Sequence, residues 1–98
     1  MPLFTNVVRP YQEQPSYRCP CCLFTTLHDR GGYGVCPVCS WEDDGQDDHD
    51  ADEVRGGPNS DVSLTRAREN YHRLGAFIPE AVPHVRTPTD EERKAPLP

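Results

Sequence analysis

Two Cys-Pro-x-Cys segments, called knuckles below, constrain this chain more than any other feature of its sequence. The first is Cys19-Pro20-Cys21-Cys22 and the second is Cys36-Pro37-Val38-Cys39, with thirteen residues between them. Two intervening residues let a chain turn until both sulfurs face one point, and proline presets the first dihedral angle of that turn. Two such pairs form a tetrahedral shell of four sulfurs. The spacing therefore predicts one metal site.

The size of the chain explains why a metal would be needed. The chain has 98 residues, and most of its 11 prolines lie toward the two ends. The part expected to fold, residues 16–78, is too small to be stabilised by a hydrophobic core alone. No signal peptide or membrane-spanning run is visible, so we expect a cytoplasmic protein. In that compartment paired cysteines bind metals rather than form disulfides.

The sequence divides into an arm, a domain and a tail. Residues 1–15 are expected to form an extended arm, residues 16–78 the metal-binding domain, and residues 79–98 a Pro-rich charged tail that is disordered or loosely packed. Within the domain, β-forming residues at 23–27 and 33–35 flank Asp and Gly residues typical of a turn. This pattern predicts a β-hairpin that joins the two knuckles, as in a zinc ribbon or rubredoxin.

One helix is predicted after the hairpin. Ser63 is a good N-cap, residues 64–74 have a helical pattern, and Gly75 lies just past the end. We expect the single tryptophan, Trp41, to pack over the hairpin and the apolar stripe of this helix. That stripe consists of Leu64, Ala67, Tyr71 and Leu74. The predicted fold class is a small metal-stabilised α+β domain, with a two-knuckle hairpin and one C-terminal helix.

The predicted metal ligands are the outer cysteines of both knuckles. They are Cys19, Cys22, Cys36 and Cys39. Four protein ligands leave no open coordination position, so the ion is expected to be structural. Zinc suits four sulfurs, and we expect one zinc ion per chain; iron, as in a rubredoxin-like redox protein, is the alternative. Cys21 is surplus, and its place in the turn predicts an exposed thiol that points outward.

Several segments together resemble one known family. They are residues 17–22, the Gly-Gly-Tyr that precedes Cys36, residues 41–48, and residues 54–59 followed by Ser63-Leu64. In these segments the chain resembles the bacterial cysteine-rich CPCC family over about residues 17–75. The resemblance implies a small zinc-ribbon-like protein and implies no activity. The family pattern tends to place glycine where this chain has Leu23.

The stretch from Glu42 to Glu53, called the acidic loop below, is the second chemical feature. Eight of its twelve residues are acidic, and the whole chain has a formal charge of −6. Dense negative charge steers a basic protein partner, in a regulatory or immunity-type role for example. A loop that is only solvated is the alternative. The expected contact residues are Asp43, Asp44, Asp47, Asp48, Asp50 and Asp52.

Neither catalysis nor nucleic-acid binding is expected. The enzyme alternative is an HNH-like metal-dependent nuclease, in which His49 activates water and Asn59 assists. The negative charge repels phosphate backbones, which argues against that nuclease and against nucleic acid as a partner. The arginines outside the loop are expected to be its surface partners; they are Arg18, Arg30, Arg66, Arg68 and Arg73. The oligomeric state stays open.

Overall fold

The computed structural model describes residues 5–94, and its two strands enclose the first knuckle. Strand β1 (Tyr17–Arg18) pairs antiparallel with strand β2 (Thr25–Leu27). Tyr17 lies opposite Leu27 and Arg18 opposite Thr25, with a register shift between the two pairs. The Cys-Pro-Cys-Cys segment is therefore itself the turn of this hairpin.

The second knuckle closes a similar but shorter hairpin. Val35 forms a single antiparallel bridge with Glu42. The expected pairing of residues 23–27 with residues 33–35 is wrong, because the two-stranded sheet joins β1 to β2. Each knuckle reverses the direction of the chain, so the residues before and after the same knuckle pair with each other. The predicted α+β class, with two cysteine knuckles and a helix, is confirmed.

Helix α1 (Leu64–Leu74) has the limits that the sequence predicted. The side chain of Ser63 accepts a hydrogen bond from the amide of Arg66 at 3.0 Å. Gly75 ends the helix with a φ of 79°, and its amide donates to the carbonyl of Tyr71. A serine N-cap and a left-handed glycine after the last turn satisfy backbone groups that the helix leaves unpaired.

The inner face of α1 differs from the prediction at one position. Leu64 and Ala67 are fully buried, but Leu74 is 39% exposed. Asn70 is buried in its place and donates from its amide nitrogen to the carbonyl of Phe77 at 2.9 Å. A polar residue is stable there because this hydrogen bond replaces the one to water that burial removes.

Trp41 lies in the core, as expected. It is fully buried, and its ring meets that of Phe77 edge-on with 5.8 Å between centroids. The amide of Phe77 also donates to the carbonyl of Cys39 at 2.9 Å. The segment after α1 is therefore joined to the second knuckle both by an aromatic contact and by a backbone hydrogen bond.

The arm is bound along the domain over the residues that the structure describes. The amide of Val7 donates to the carbonyl of Gly45, and that of Gln12 to the carbonyl of His28, each at 2.8 Å. Gly45 has a φ of +92°, and a Cβ there would lie 2.6 Å from the Cβ of Asn6. The arm can approach this closely only because position 45 is glycine.

The segment 79–94 packs against the domain, whereas the sequence predicted a disordered or loose tail. A 3₁₀ turn (Pro79–His84) contacts α1, and a second short helix, α2 (Asp90–Arg93), contacts β2. Both oxygens of Glu92 accept from Arg86, at 2.8 and 2.9 Å. Residues 1–4 and 95–98 lie outside the described part, and the domain limits at 16 and 78 stay predictions. No helix within residues 5–94 is long and apolar enough to cross a membrane.

Candidate metal centre

The two knuckles share one backbone geometry. In each, the amide four positions after the first cysteine donates to the carbonyl of that cysteine at 2.8 Å. The amide of the same cysteine donates to the carbonyl five positions later at 2.9 Å. The residues that follow the knuckles, Leu23 and Ser40, have φ values of 69° and 72°. Such left-handed positions favour glycine, which explains the glycine that the resembling family tends to have at position 23.

The four predicted ligands lie together in the core. Cys19, Cys22, Cys36 and Cys39 are buried, and their Sγ atoms all lie within 4.8 Å of one another. The Sγ atoms of Cys19 and Cys39 are 3.6 Å apart, and those of Cys22 and Cys36 are 3.7 Å apart. Tetrahedral metal–sulfur bonds of about 2.3 Å give sulfur–sulfur edges of about 3.8 Å. The cluster therefore fits one tetrahedral ion, and its five-cysteine neighbourhood contains no disulfide.

The thiols of the cluster differ in acidity. Hydrogen bonds from Cys19, and then from Cys22 and Cys39, hold the pKa of Cys36 well below its ordinary value. Burial raises the pKa of Cys19 well above its ordinary value, and the charge of Cys36 adds to this rise. Burial therefore disfavours charge on the Cys19 thiol when no cation is bound. A bound divalent cation would supply positive charge, and with that charge beside them all four cysteine thiols of the cluster can ionise.

Two side chains outside the cluster support it, and no local sequence pattern indicated either of them. The hydroxyl of Thr26 lies 3.1 Å from the Sγ of Cys36 and is buried on β2. Arg68 of α1 donates from Nε to the carbonyl of Pro20 at 2.8 Å. The first contact stabilises a thiolate at Cys36, and the second fastens the first knuckle to α1.

Cys21 lies in the interior, so the prediction of an exposed thiol is wrong. It is 3% exposed, and its sulfur is not part of the four-sulfur cluster. The pKa of Cys39 is raised by a hydrogen bond with Cys19 and, to a smaller extent, by one with Cys21. Cys21 belongs to the same buried core as the four ligands, so this position of the turn is covered.

The acidic loop is partly interior. Asp43 is fully buried, and it accepts from the amides of Gly31 at 2.9 Å and Gly45 at 3.1 Å. The six aspartates expected to contact a partner fall into three groups: Asp43, Asp44 and Asp50 have buried side chains, Asp47 is half-buried, and Asp48 and Asp52 are exposed. Composition indicated the charge of this loop but not the burial of half of these carboxylates.

Three arginines neutralise part of the acidic loop. Arg30 bonds to Asp43 and Asp47 at 2.9 Å each, Arg55 bonds to Asp50 and lies 3.9 Å from Asp44, and Arg68 bonds to Asp48 at 2.7 Å. Arg30 and Arg68 therefore pair with the loop as expected, although Arg30 is buried. Arg66 pairs instead with Glu69 on α1. Arg55 was not predicted; the only signal for it is its place as the first cation after the loop.

His49 does not share a metal site with other residues in the described part of the chain. Its Nε2 lies 2.6 Å from the carbonyl of Thr5 and 3.6 Å from Asp50. The side-chain amide of Asn59 accepts from the backbone amide of Glu42 at 2.9 Å and donates to the carbonyl of Glu42 at 2.7 Å. Between residues 5 and 94, the four cysteines are the one group of three or more His, Cys, Asp or Glu side chains placed to hold an ion.

The fold and the site define a small α+β domain with a buried four-cysteine cluster that fits one metal ion. The sequence model of a family described as cysteine-rich CPCC matches residues 17–92. The chain belongs to this family, and the resemblance inferred from the sequence is confirmed. The matched region also includes the 3₁₀ turn after α1 and most of α2. No curated protein and no solved structure matches the chain.

Proposed function

We propose that the four cysteines hold one zinc ion with a structural task, and that the protein is not an enzyme. The observation that carries this proposal is the burial of the sulfurs. Cys19 and Cys39 have no exposed surface, Cys36 is 1% exposed and Cys22 is 8% exposed. A closed shell of four thiolates leaves no coordination position for a substrate or a water molecule. The five free thiols support a reducing compartment such as the cytoplasm.

The small size of the core residues supports a structural task for the ion. Apart from cysteine, nine apolar residues are buried in the part of the chain described, and four of them are alanines: Ala51, Ala67, Ala76 and Ala81. Alanine buries little surface, so its contribution to the free energy of folding is small. Metal binding adds folding free energy that such a core lacks.

Elemental analysis of the purified protein tests the ion. We expect one zinc per chain, and loss of both zinc and folded structure when a strong chelator removes the metal. Cys36→Ser should have the same effect, while His49→Ala should keep the full zinc content. One iron per chain, with the visible absorption of an iron–thiolate centre, would instead support the rubredoxin-like alternative.

We further propose that the exposed part of the acidic loop binds a basic protein partner. The whole loop has eight carboxylates, and the guanidinium groups of Arg30, Arg55 and Arg68 pair with it. Five negative charges of the loop are therefore not balanced by these arginines. Asp52 and Glu53 are exposed, and no arginine pairs with them among residues 5–94. Charge of this density raises association rates with basic proteins and makes those rates sensitive to salt.

Two double variants test this docking surface. Asp52→Asn with Glu53→Gln removes two loop charges that support no ion pair. Asp61→Asn with Glu80→Gln removes two exposed charges elsewhere and serves as the control. Proteins captured from the source cell should associate more slowly, and with a flatter salt dependence, with the loop variant than with the control. Equal rates for both variants and the parent would show that the loop is only solvated.

A further inference from the structure

A cleft of about 510 Å³ lies beside the first knuckle. Its walls come from the arm (Val7 and Arg9), from β1 (Tyr17 and Arg18) and from the knuckle turn, including Leu23. This volume lies within the range of about 300–1,000 Å³ that ligand sites occupy. The cleft does not include the exposed residues Asp52 and Glu53, but Asp47 and Asp48 of the acidic loop lie in its wall.

Four arginines line this cleft, and two of them are already paired. Arg30 donates from all three nitrogens, to Asp43, Asp47 and the carbonyl of Gln46. Arg68 donates to Asp48 and to the carbonyl of Pro20. The two carboxylates of the cleft, those of Asp47 and Asp48, are therefore each paired with one of these arginines, and Arg30 also shares its charge with Asp43.

The other two arginines have no carboxylate partner within residues 5–94. The guanidinium of Arg9 donates to the carbonyl of Val8, at 2.8 Å, and neither it nor the guanidinium of Arg18 has an ion pair there. Both residues are exposed. The cleft is therefore positive in a chain whose formal charge is −6. Uncompensated guanidinium groups pair well with carboxylates, because two parallel N–H donors match two oxygens.

The wall of the cleft also has an exposed apolar side chain. Leu23 is 57% exposed. Its φ of 69° is in the left-handed region, which favours glycine. A leucine in the left-handed region costs about 1–2 kcal/mol relative to an ordinary conformation. Leu23, together with Val7, gives the cleft an apolar surface next to its positive groups.

We propose that this cleft binds a short acidic peptide segment of another protein. Carboxylates of the peptide pair with Arg9 and Arg18, and an apolar side chain of the peptide packs on Leu23. A phosphate backbone fits less well, because it has no apolar side chain to pack on exposed Leu23.

Fluorescence polarisation with a labelled eight-residue peptide of alternating glutamate and leucine tests the proposal on the full-length, metal-loaded protein. We expect saturable binding that weakens about tenfold or more in Arg9→Gln with Arg18→Gln. The Lys pair at the same positions should recover part of the affinity. Arg66→Gln with Arg93→Gln removes two exposed charges elsewhere and should leave binding unchanged. Metal content verifies that each variant is folded.

Competition experiments identify the ligand class. A peptide with glutamine in place of glutamate should not compete, and inorganic phosphate or a single-stranded oligonucleotide should compete poorly. Absence of binding to the parent protein, or equal affinity for the parent and the Arg9→Gln, Arg18→Gln variant, would overturn the proposal. An oligonucleotide that binds more tightly than the peptide through Arg9 and Arg18 would also overturn it, in favour of a nucleic-acid ligand.

Discussion

Arg30 and Asp43 form a buried ion pair between the turn after β2 and the start of the acidic loop. The Nε of Arg30 lies 2.9 Å from Oδ2 of Asp43, and the two side chains are 9% and 0% exposed. The same oxygen accepts from the amide of Gly31, and the other oxygen accepts from the amide of Gly45. The first part of the acidic loop is therefore a structural anchor, and the exposed carboxylates of the loop are those of Asp48, Asp52 and Glu53.

Asp43→Asn should destabilise the metal-loaded protein by about 1–3 kcal/mol. The substitution keeps the size of the side chain, but it leaves Arg30 with half-buried Asp47 as its carboxylate partner and replaces one acceptor oxygen of Asp43 by a donor nitrogen. Asp52→Asn, which removes an exposed charge, should change stability by about 0.5 kcal/mol or less. Denaturant unfolding of both variants measures the difference. Similar stabilities would show that the pair has no anchoring role.

Leu23→Gly should stabilise the protein by about 0.5–1 kcal/mol. Removing Cβ at a φ of 69° relieves about 1–2 kcal/mol, and the greater freedom of glycine in the unfolded chain offsets about 0.5–1 kcal/mol of that gain. Leu23→Ala is the matched control, because it removes the exposed side chain and keeps Cβ. Thermal unfolding at a fixed zinc concentration compares the variants. A stabilising alanine would assign the effect to the exposed leucine side chain instead.

The features predicted correctly from the sequence are those with local signals. The two knuckles depend on cysteine and proline at fixed spacing, and α1 depends on Ser63, a helical apolar pattern and Gly75. Each signal lies within a few residues of the structure that it specifies. The strand pairing failed because Tyr17–Arg18 is too short to show a β pattern. The two strands pair because the chain reverses direction at the knuckle between them.

The features that were missed depend on contacts between distant residues. The burial of Asp43 depends on Arg30, thirteen positions earlier in the chain, and no sequence pattern links the two. The segment 79–94 was expected to be disordered or loosely packed against the domain because of its prolines and charges. Its contacts in the structure, which no sequence pattern indicated, include the pairing of Arg86 with Glu92 and a hydrogen bond from Thr25 to the carbonyl of Lys94, 2.9 Å long. Charge composition alone does not distinguish paired from solvated carboxylates.

Glu92→Gln should weaken the attachment of α2 in a pH-dependent way. Hydrogen bonds from Arg86 lower the pKa of Glu92 below its ordinary value of 4.5. The stabilisation from this carboxylate is therefore fully present above the ordinary pKa and is lost as the pH falls through the lowered one. Unfolding free energies of the parent and the variant should differ at pH 7, and the difference should shrink below about pH 4.5.

The control for Glu92 is the neighbouring exposed position. Glu91→Gln changes a carboxylate that is 82% exposed, so its stability should follow that of the parent at every pH. A Glu92 effect of constant size across the whole pH range would indicate lost packing rather than a lost charge.

Cys21→Ser should keep the metal and lower stability. Cys21 is 3% exposed and outside the sulfur cluster, so serine places a hydroxyl in the core at a cost of about 1–3 kcal/mol. Cys22→Ser is the matched comparison, since it removes a ligand one position away and should release the ion. Metal content per chain separates the two variants. Metal retained by Cys22→Ser and lost by Cys21→Ser would show that the ligand assignment is wrong.

Thr26→Val should weaken metal binding without removing a ligand. A thiolate has no proton to donate, so in the metal-bound protein the hydroxyl of Thr26 donates to the Sγ of Cys36, 3.1 Å away. Loss of such an outer hydrogen bond lowers metal affinity by about 10–100-fold. Valine has nearly the same shape, so the packing of this residue, 5% exposed on β2, is kept.

A chelator competition series measures the affinity of Thr26→Val for zinc. Thr25→Val is the control, because Thr25 is also buried on β2 but donates to the carbonyl of Lys94 instead of to a sulfur. Thr25→Val should lower stability through the loss of that hydrogen bond and leave zinc affinity within about threefold of the parent. Equal losses of zinc affinity in both variants would mean that β2 acts on the centre through its packing. A loss of zinc affinity confined to Thr26→Val would show that the hydrogen bond from Thr26 to Cys36 supports zinc binding by stabilising the negative charge on that sulfur.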